Sequence, residues 1–211
     1  MERGGMAELR EIARAAASRL EAKNEARERA LAASRTITRQ CANAIRSTHR
    51  GEWQQAQGAL DEVGVRLEEL RGMLVGFPEV YWAGYLQDAL KEYAEGRITL
   101  ALVQHGPVPG FEALGVEVAP YLNGLGEAVG ELRRRALDII RHGEAQEAED
   151  LLDAMEEIYN ILITVDYPDA LTGGLRRTTD NARGILERTR GDITFALRQQ
   201  RLEEALRRAG G

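Results

Sequence analysis

The sequence is poor in aromatic side chains and in cysteine, and each shortage narrows the classes of protein that it can encode. Aromatic residues make up 5% of the 211 residues, whereas alanine, leucine, glutamate and arginine dominate, which favours helices over sheets. The one cysteine, Cys41, excludes an intramolecular disulfide and fits a reducing cytoplasm. No segment approaches the roughly 20 apolar residues of a membrane-spanning helix. We therefore expect a soluble, cytoplasmic protein with no membrane partner.

Positive charge is also in short supply. The chain has 28 lysines and arginines against 34 aspartates and glutamates, which gives a formal net charge of -6. The surface as a whole therefore lacks the basic excess that is typical of nucleic-acid-binding proteins. Any site for phosphate groups must be local, with basic side chains gathered on one helix face.

The five prolines and several glycines divide the sequence into helices, because proline is tolerated at first turns and in connections. We predict an all-α, single-domain bundle of about seven helices that spans residues 1–211. The predicted helices cover residues 6–49, 53–74, 79–104, 118–141 and 144–164, and a last helical portion after Pro168 runs to about residue 208, weakened or bent at Gly173-Gly174, Gly184 and Gly191. The predicted apolar stripe of the first helix contains Leu9, Ile12, Ala16 and Leu20.

Two pairs of glutamates at helical spacing are the main candidate site. Glu92 and Glu95 are three residues apart, and Glu127 and Glu131 are four apart, so each pair presents two carboxylates on one helix face. Taken alone, such pairs are more often solvated surface residues. Here the flanking residues are largely apolar, which predicts buried helices whose carboxylates need partners or a metal ion. Four carboxylates on two adjacent helices can hold a hard divalent cation, and such cations support phosphoryl chemistry.

Two rows of arginines are candidates for contact with a nucleic-acid backbone. The spacings within the first helix keep four of them on a narrow arc of one face, and three more repeat every seven residues near the end of the chain. The first row is Arg35, Arg39, Arg46 and Arg50, and the second is Arg176, Arg183 and Arg190. Arginine suits phosphate because it binds two oxygens at once. Solvated faces with salt bridges between helices remain the alternative interpretation.

The histidines give no comparable signal. His49, His105 and His142 are not spaced as metal ligands with either glutamate pair. A ferritin-like di-iron site would require Glu-x-x-His on helices, which the sequence does not contain. We assign no function to them from the sequence.

Three segments together resemble the translin/Trax family, and in particular its Trax-like members of prokaryotic or archaeal type. The first is ARERALAASRTI at 26–37. The second, LKEYAE at 90–95, is similar to the LQEYVE motif of Trax. The third, YLNGLGEAVGELR at 121–133, is similar to the Trax pattern YLxGVxDxxGEL. The order and separation of the three segments carry the resemblance, which spans nearly the whole chain.

The resemblance implies a helical protein that assembles into a hollow homo-oligomer, often an octamer, and encloses RNA or single-stranded DNA. It also implies an endoribonuclease that depends on Mg²⁺, with Mn²⁺ as a substitute, and that prefers RNA with single-stranded character. Glu92, Glu95 and Glu127 match direct metal ligands, and Glu131 matches a fourth ligand or an orienter of water. Trax has an aspartate at the position of Glu127, whose side chain is one methylene longer.

Three other functions remain open at this stage. A translin-type protein would bind single-stranded RNA or DNA without cleaving it. An all-helical nucleotide pyrophosphohydrolase would also contain Glu-x-x-Glu, but its second acidic pair is Glu-x-x-Asp at a shorter separation. A purely structural helical adaptor would bind neither RNA nor metal.

Overall fold

The computed structural model describes residues 2–209, which form six long α-helices and three helices of four residues each. In chain order they are α1 (Glu2–His49), α2 (Trp53–Met73), α3 (Pro78–Tyr81), α4 (Gly84–Val103), α5 (Phe111–Leu114), α6 (Val118–Arg141), α7 (Glu147–Leu162), α8 (Asp169–Thr172) and α9 (Leu175–Ala209). This part of the chain contains no strand, so the predicted all-α class is confirmed. None of the described helices has the length and apolar character needed to cross a bilayer.

Two predicted helices are interrupted in the structure. The helix predicted over 79–104 is divided into α3 and α4, because Ala83 has extended backbone angles (φ -66°, ψ 140°). Near the end of the chain, Gly173 and Gly174 have positive φ angles of 62° and 84°, which glycine tolerates without a steric penalty, and they separate α8 from α9. Gly184 lies inside the continuous α9. Short α5, in the connection after α4, was not predicted.

The first half of α1 differs from the prediction in its burial. Leu9, Ile12 and Leu20, predicted as part of an apolar stripe, are 61%, 60% and 67% exposed. The buried face of α1 begins only at Ala26, because α1 is far longer than the helices that cover it. Large apolar side chains near the end of α9 are exposed in the same way, namely Phe195, Leu202 and Leu206. A single copy of the chain therefore leaves the apolar faces of two long helices uncovered.

Helix α4 lies at the centre of the bundle, where it packs against α1, α2 and α6, and α6 in turn packs against α7 and α9. The approach of α4 and α6 depends on Gly124. A Cβ atom built at Gly124 would lie 2.7 Å from the carbonyl oxygen of Lys91 and 3.0 Å from the amide nitrogen of Glu95. Only a residue without a side chain allows these two backbones to approach so closely. The same contact brings the two glutamate pairs towards each other.

Gly124→Ala is expected to lower the free energy of unfolding by about 1–3 kcal/mol, because backbone atoms cannot move aside as a flexible side chain would. Gly58→Ala is the matched control, since Gly58 lies in α2 and a Cβ atom at that position would have no heavy atom within 4 Å. That substitution is expected to stabilise the protein by up to about 1 kcal/mol. Urea unfolding followed by circular dichroism measures both. Equal stability of Gly124→Ala and the wild type would contradict the close approach.

Candidate metal centre

Three of the four predicted glutamates form one cluster between α4 and α6. Glu92 and Glu95 lie on α4 and Glu127 lies on α6. One oxygen from each carboxylate lies within 4.8 Å of the other two. Glu95 is buried, with 8% of its surface exposed, whereas Glu92 and Glu127 are half-buried. The cluster therefore reaches from the interior of the bundle to its surface.

The electrostatics of this cluster are unfavourable without a cation. Burial, together with the charges of Glu92 and Glu127, raises the pKa of Glu95 to about 8. Burial is also the main cause that raises the pKa of Glu92, and Glu127 contributes to that increase. Neutral carboxylic acids at pH 7 are the usual result when several carboxylates share a poorly solvated site. A bound cation would offset the repulsion between the carboxylates and stabilise their ionised forms, and would thus lower both pKa values.

Lys91 provides a positive charge at the edge of the cluster. Its Nζ donates a hydrogen bond of 2.7 Å to Oε1 of Glu127. Burial alone would lower the pKa of Lys91, but the hydrogen bond to Glu127 and the nearby Glu92 and Asp88 raise it overall. Lys91 is therefore an ammonium ion that offsets part of the negative charge.

Glu131, the fourth predicted residue, lies beside the cluster and is held by a histidine. Nε2 of His49, at the end of α1, lies 2.5 Å from Oε2 of Glu131. The hydrogen bond from His49 lowers the pKa of Glu131 despite its partial burial, so Glu131 is ionised. The side chain of His49 is only 4% exposed. The contact between His49 and Glu131 was not predicted from the sequence, because 82 residues separate the two partners.

The three clustered carboxylates fit a hard divalent cation. Mg²⁺ binds oxygen ligands at about 2.0–2.1 Å, so opposite ligands of one ion lie about 4.2 Å apart. Adjacent ligands of an octahedral ion lie about 3 Å apart, and the Glu92, Glu95 and Glu127 oxygens, which lie within 4.8 Å of one another, would converge on one ion through side-chain rotations. The donor atoms are carboxylate oxygens alone, which suits Mg²⁺ or Mn²⁺ rather than a soft metal. These three residues would hold the ion.

No family model matches the chain, but individual relatives do. An uncharacterized protein of Methanocaldococcus jannaschii is 34% identical over 188 residues, which are 88% of this chain and 83% of that protein. The structure of AfC3PO has been solved alone and in a complex with duplex RNA. AfC3PO is 34% identical to this chain with a TM-score of 0.79, and the match covers 87% of this chain and 95% of the AfC3PO chain. The chain belongs to the translin/Trax family. NeC3PO, solved in its apo form, has a TM-score of 0.77 and is 21% identical, and the match covers 85% of this chain and 94% of the NeC3PO chain. At this identity the similarity supports the fold alone.

Within the translin/Trax pattern, two positions that differ from the Trax motifs lie in contact. Glu127 occupies the position of the motif aspartate, and Lys91 occupies the position of the motif glutamine. The hydrogen bond between them joins α4 to α6. The longer side chain of Glu127 still places a carboxylate oxygen with those of Glu92 and Glu95.

The members of the two predicted arginine rows differ in whether an acidic side chain pairs with them. All seven are exposed. Arg50 binds Glu52, Arg183 binds Glu187 and Arg190 binds Glu156, and Arg46 donates to Asn43. Within residues 2–209, the structure gives four of the seven no ion-pair partner, namely Arg35, Arg39, Arg46 and Arg176. Of the first row, Arg46 bonds only a neutral amide and so keeps its positive charge unpaired, whereas Arg35 and Arg39 have neither an ion pair nor a side-chain hydrogen bond among the described residues and are the members most available to phosphate.

A groove of about 800 Å³, which was not predicted from the sequence, reaches the glutamate cluster at Glu127. Lys91 and Glu127 lie at one part of its lining, and Arg177 and Asn181 of α9 line another part. The exposed Trp82 also lines it. The residues that line this groove come from separate parts of the chain, so no local motif could have indicated them.

Proposed function

We propose that this protein is an Mg²⁺-dependent endoribonuclease. The observation that carries the proposal is the cluster of Glu92, Glu95 and Glu127, whose oxygens lie within 4.8 Å of one another. Burial and mutual repulsion raise the pKa values of Glu92 and Glu95, and such perturbation is typical of functional sites. AfC3PO, which is 34% identical to this chain, has been solved in a complex with duplex RNA. That complex supports RNA as the substrate class.

The residues of this site divide the work of phosphodiester hydrolysis. Glu92, Glu95 and Glu127 hold the cation, for which Mn²⁺ can replace Mg²⁺. A bound Mg²⁺ supplies positive charge that stabilises the developing phosphorane and activates a water molecule for attack. Glu131, fixed through Oε2 by His49, accepts a hydrogen bond from the attacking water through its other oxygen. Attack at phosphorus with the 3′-oxygen as leaving group gives 5′-phosphate and 3′-hydroxyl products.

We further propose that the active form is a cytoplasmic homo-oligomer, with the octamer as the specific expectation. The uncovered apolar residues of α1 and α9, such as Leu9 and Phe195, support contact with other copies, because large exposed apolar faces mark interaction sites. Assembly around RNA would enclose the substrate.

A cleavage assay with labelled RNA tests the proposed activity. Single-stranded and duplex oligoribonucleotides of the same sequence are incubated with the protein in Mg²⁺, in Mn²⁺ and in EDTA, and the product ends are identified. We expect cleavage that EDTA abolishes, with faster cleavage of the single strand. Salt-sensitive binding without cleavage in any metal would instead favour a non-catalytic, translin-type protein that binds single-stranded RNA or DNA. Hydrolysis of free nucleoside triphosphates would favour a pyrophosphohydrolase.

Arg35→Ala and Arg39→Ala are each expected to weaken RNA binding about equally for all sequences. Each loss of a phosphate contact should reduce the slope of log affinity against log salt by about 1. Fluorescence anisotropy at several salt concentrations, in EDTA to prevent cleavage, measures the slope. Arg66→Ala is the control, since Arg66 is an exposed arginine of α2 outside both rows. Identical slopes for all four proteins would remove Arg35 and Arg39 from the RNA contact.

A further inference from the structure

Lys91 and Glu127 form an ion pair inside a site that attracts cations. The ammonium group lies 2.7 Å from Oε1 of Glu127, which is one of the carboxylates that would hold the metal. Asp88 and Glu92 are the other acidic groups whose charge acts on Lys91. In the absence of metal, Lys91 is therefore the counter-ion of this side of the cluster.

Binding of a divalent cation changes the position of lowest energy for Lys91. A cation on Glu127 would lie only about 5 Å from an ammonium group that remained in the pair, and like charges at this distance repel strongly. The cation also neutralises the carboxylates that attract Lys91. A lysine side chain has four flexible carbon–carbon bonds, so its charge can move without any change of the backbone. The backbone itself is fixed, since Gly124 packs against the carbonyl group of Lys91.

The groove beside the metal centre provides a position for the released ammonium group. Lys91 and Glu127 both belong to the groove lining, and Arg177 from α9 supplies a second positive charge there. Asp88 and Glu117 are the acidic groups among the lining residues besides Glu127. Glu117 accepts a hydrogen bond of 2.9 Å from the hydroxyl of Tyr81. A phosphate that reaches the metal centre through this groove meets Lys91 and Arg177 beside it.

We propose that Lys91 is an exchangeable counter-ion: it would leave Glu127 when the three carboxylates hold a metal ion, and it would then bind the phosphate group of the RNA in the groove. This inference rests on the proposed function. It gives Lys91 a catalytic role that the Trax motif, with glutamine at this position, does not supply. It also links two of the departures from the Trax motifs, Lys91 and Glu127, because the longer Glu127 reaches both the proposed metal centre and Lys91.

The proposal predicts effects of opposite sign for one substitution. Lys91→Gln removes the competitor for Glu127, so Mn²⁺ affinity in the absence of RNA should increase by at least about 10-fold. The same variant loses the phosphate contact, so kcat for RNA cleavage at saturating Mn²⁺ should decrease by about 10-fold or more. Lys91→Arg keeps the charge and should remain near the wild type in both measurements. A variant that merely misfolds cannot bind Mn²⁺ more tightly.

Electron paramagnetic resonance of free Mn²⁺ measures the affinity, and the labelled-RNA assay measures kcat, both on the full-length protein. Weaker Mn²⁺ binding by Lys91→Gln would overturn the counter-ion role and would indicate that Lys91 positions Glu127 instead. An unchanged kcat at saturating metal would overturn the phosphate contact. Absence of Mn²⁺ binding by the wild type would contradict both this inference and the proposed function. If the wild type binds Mn²⁺ and cleaves RNA, and Lys91→Gln matches it in both measurements, this inference alone would be contradicted.

Discussion

Glu95→Gln is expected to reduce Mg²⁺-dependent RNA cleavage by about 100-fold or more. Glu95 is the most deeply buried of the three clustered carboxylates, and glutamine has the same shape but no negative charge to hold the ion. A metal ion contributes several kcal/mol to a phosphoryl-transfer transition state, and each 1.4 kcal/mol is about tenfold in rate. Single-turnover cleavage of the labelled oligoribonucleotide measures the loss.

The control for this experiment is Glu62→Gln, which makes the same chemical change at an exposed position of α2. It should cleave RNA at the wild-type rate. RNA affinity measured in EDTA at pH 7 should be unchanged in Glu95→Gln, because the pKa of about 8 leaves the metal-free Glu95 mostly uncharged at that pH. If Glu95→Gln cleaves RNA as fast as the wild type, the carboxylate cluster is not the catalytic centre.

The sequence was sufficient to predict the long helices and the burial of Glu95. The apolar neighbours of Glu95 on α4 indicated a largely buried helix, and α6 was predicted with the bounds that the structure shows. Periodicity also predicted that the members of each glutamate pair share a helix face. It could not predict that α4 and α6 approach through Gly124, because that contact depends on tertiary packing.

The partners of the glutamates could not be predicted for the same reason. Lys91 and Glu127 are 36 residues apart, and His49 and Glu131 are 82 residues apart. No local spacing rule connects residues at such separations, whereas the i, i+3 and i, i+4 rules connect neighbours on one helix. The sequence therefore indicated the acidic residues of this candidate site but not the basic groups that contact them.

The apolar stripe of α1 shows a different limit of periodicity. A stripe such as that of Leu9 and Ile12 indicates an amphipathic helix face, but it does not indicate what covers that face. Both residues are exposed in one copy of the chain. The arginine rows show the same limit: spacing placed Arg190 on one face with Arg183 but could not indicate its pairing with Glu156 of α7, which is 34 residues away.

Glu95→Gln is also expected to make the metal-free protein more stable at alkaline pH. The pKa of Glu95 is raised to about 8 in the folded protein, whereas that of a glutamate in an unfolded chain is about 4.3. Between these values the folded protein keeps a proton that the unfolded chain has lost, so wild-type stability decreases as the pH rises from about 4.5 to 8. Glutamine does not titrate, and therefore the variant escapes this decrease.

At pH 9 in EDTA, the variant should exceed the wild type by a few kcal/mol, which is roughly 5–10 °C in melting temperature for a chain of this size. At pH 5 the difference should nearly vanish, because Glu95 is then neutral in the folded wild type. Thermal unfolding at the two pH values measures it, with Glu62→Gln as the control that should follow the wild type. A difference that does not depend on pH would show that Glu95 is not a buried acid with a raised pKa. Addition of Mg²⁺ at pH 9 should stabilise the wild type more than the variant, because only the wild type offers all three carboxylates of the cluster to the ion. A variant that gains stability as it loses cleavage separates the metal site from the fold.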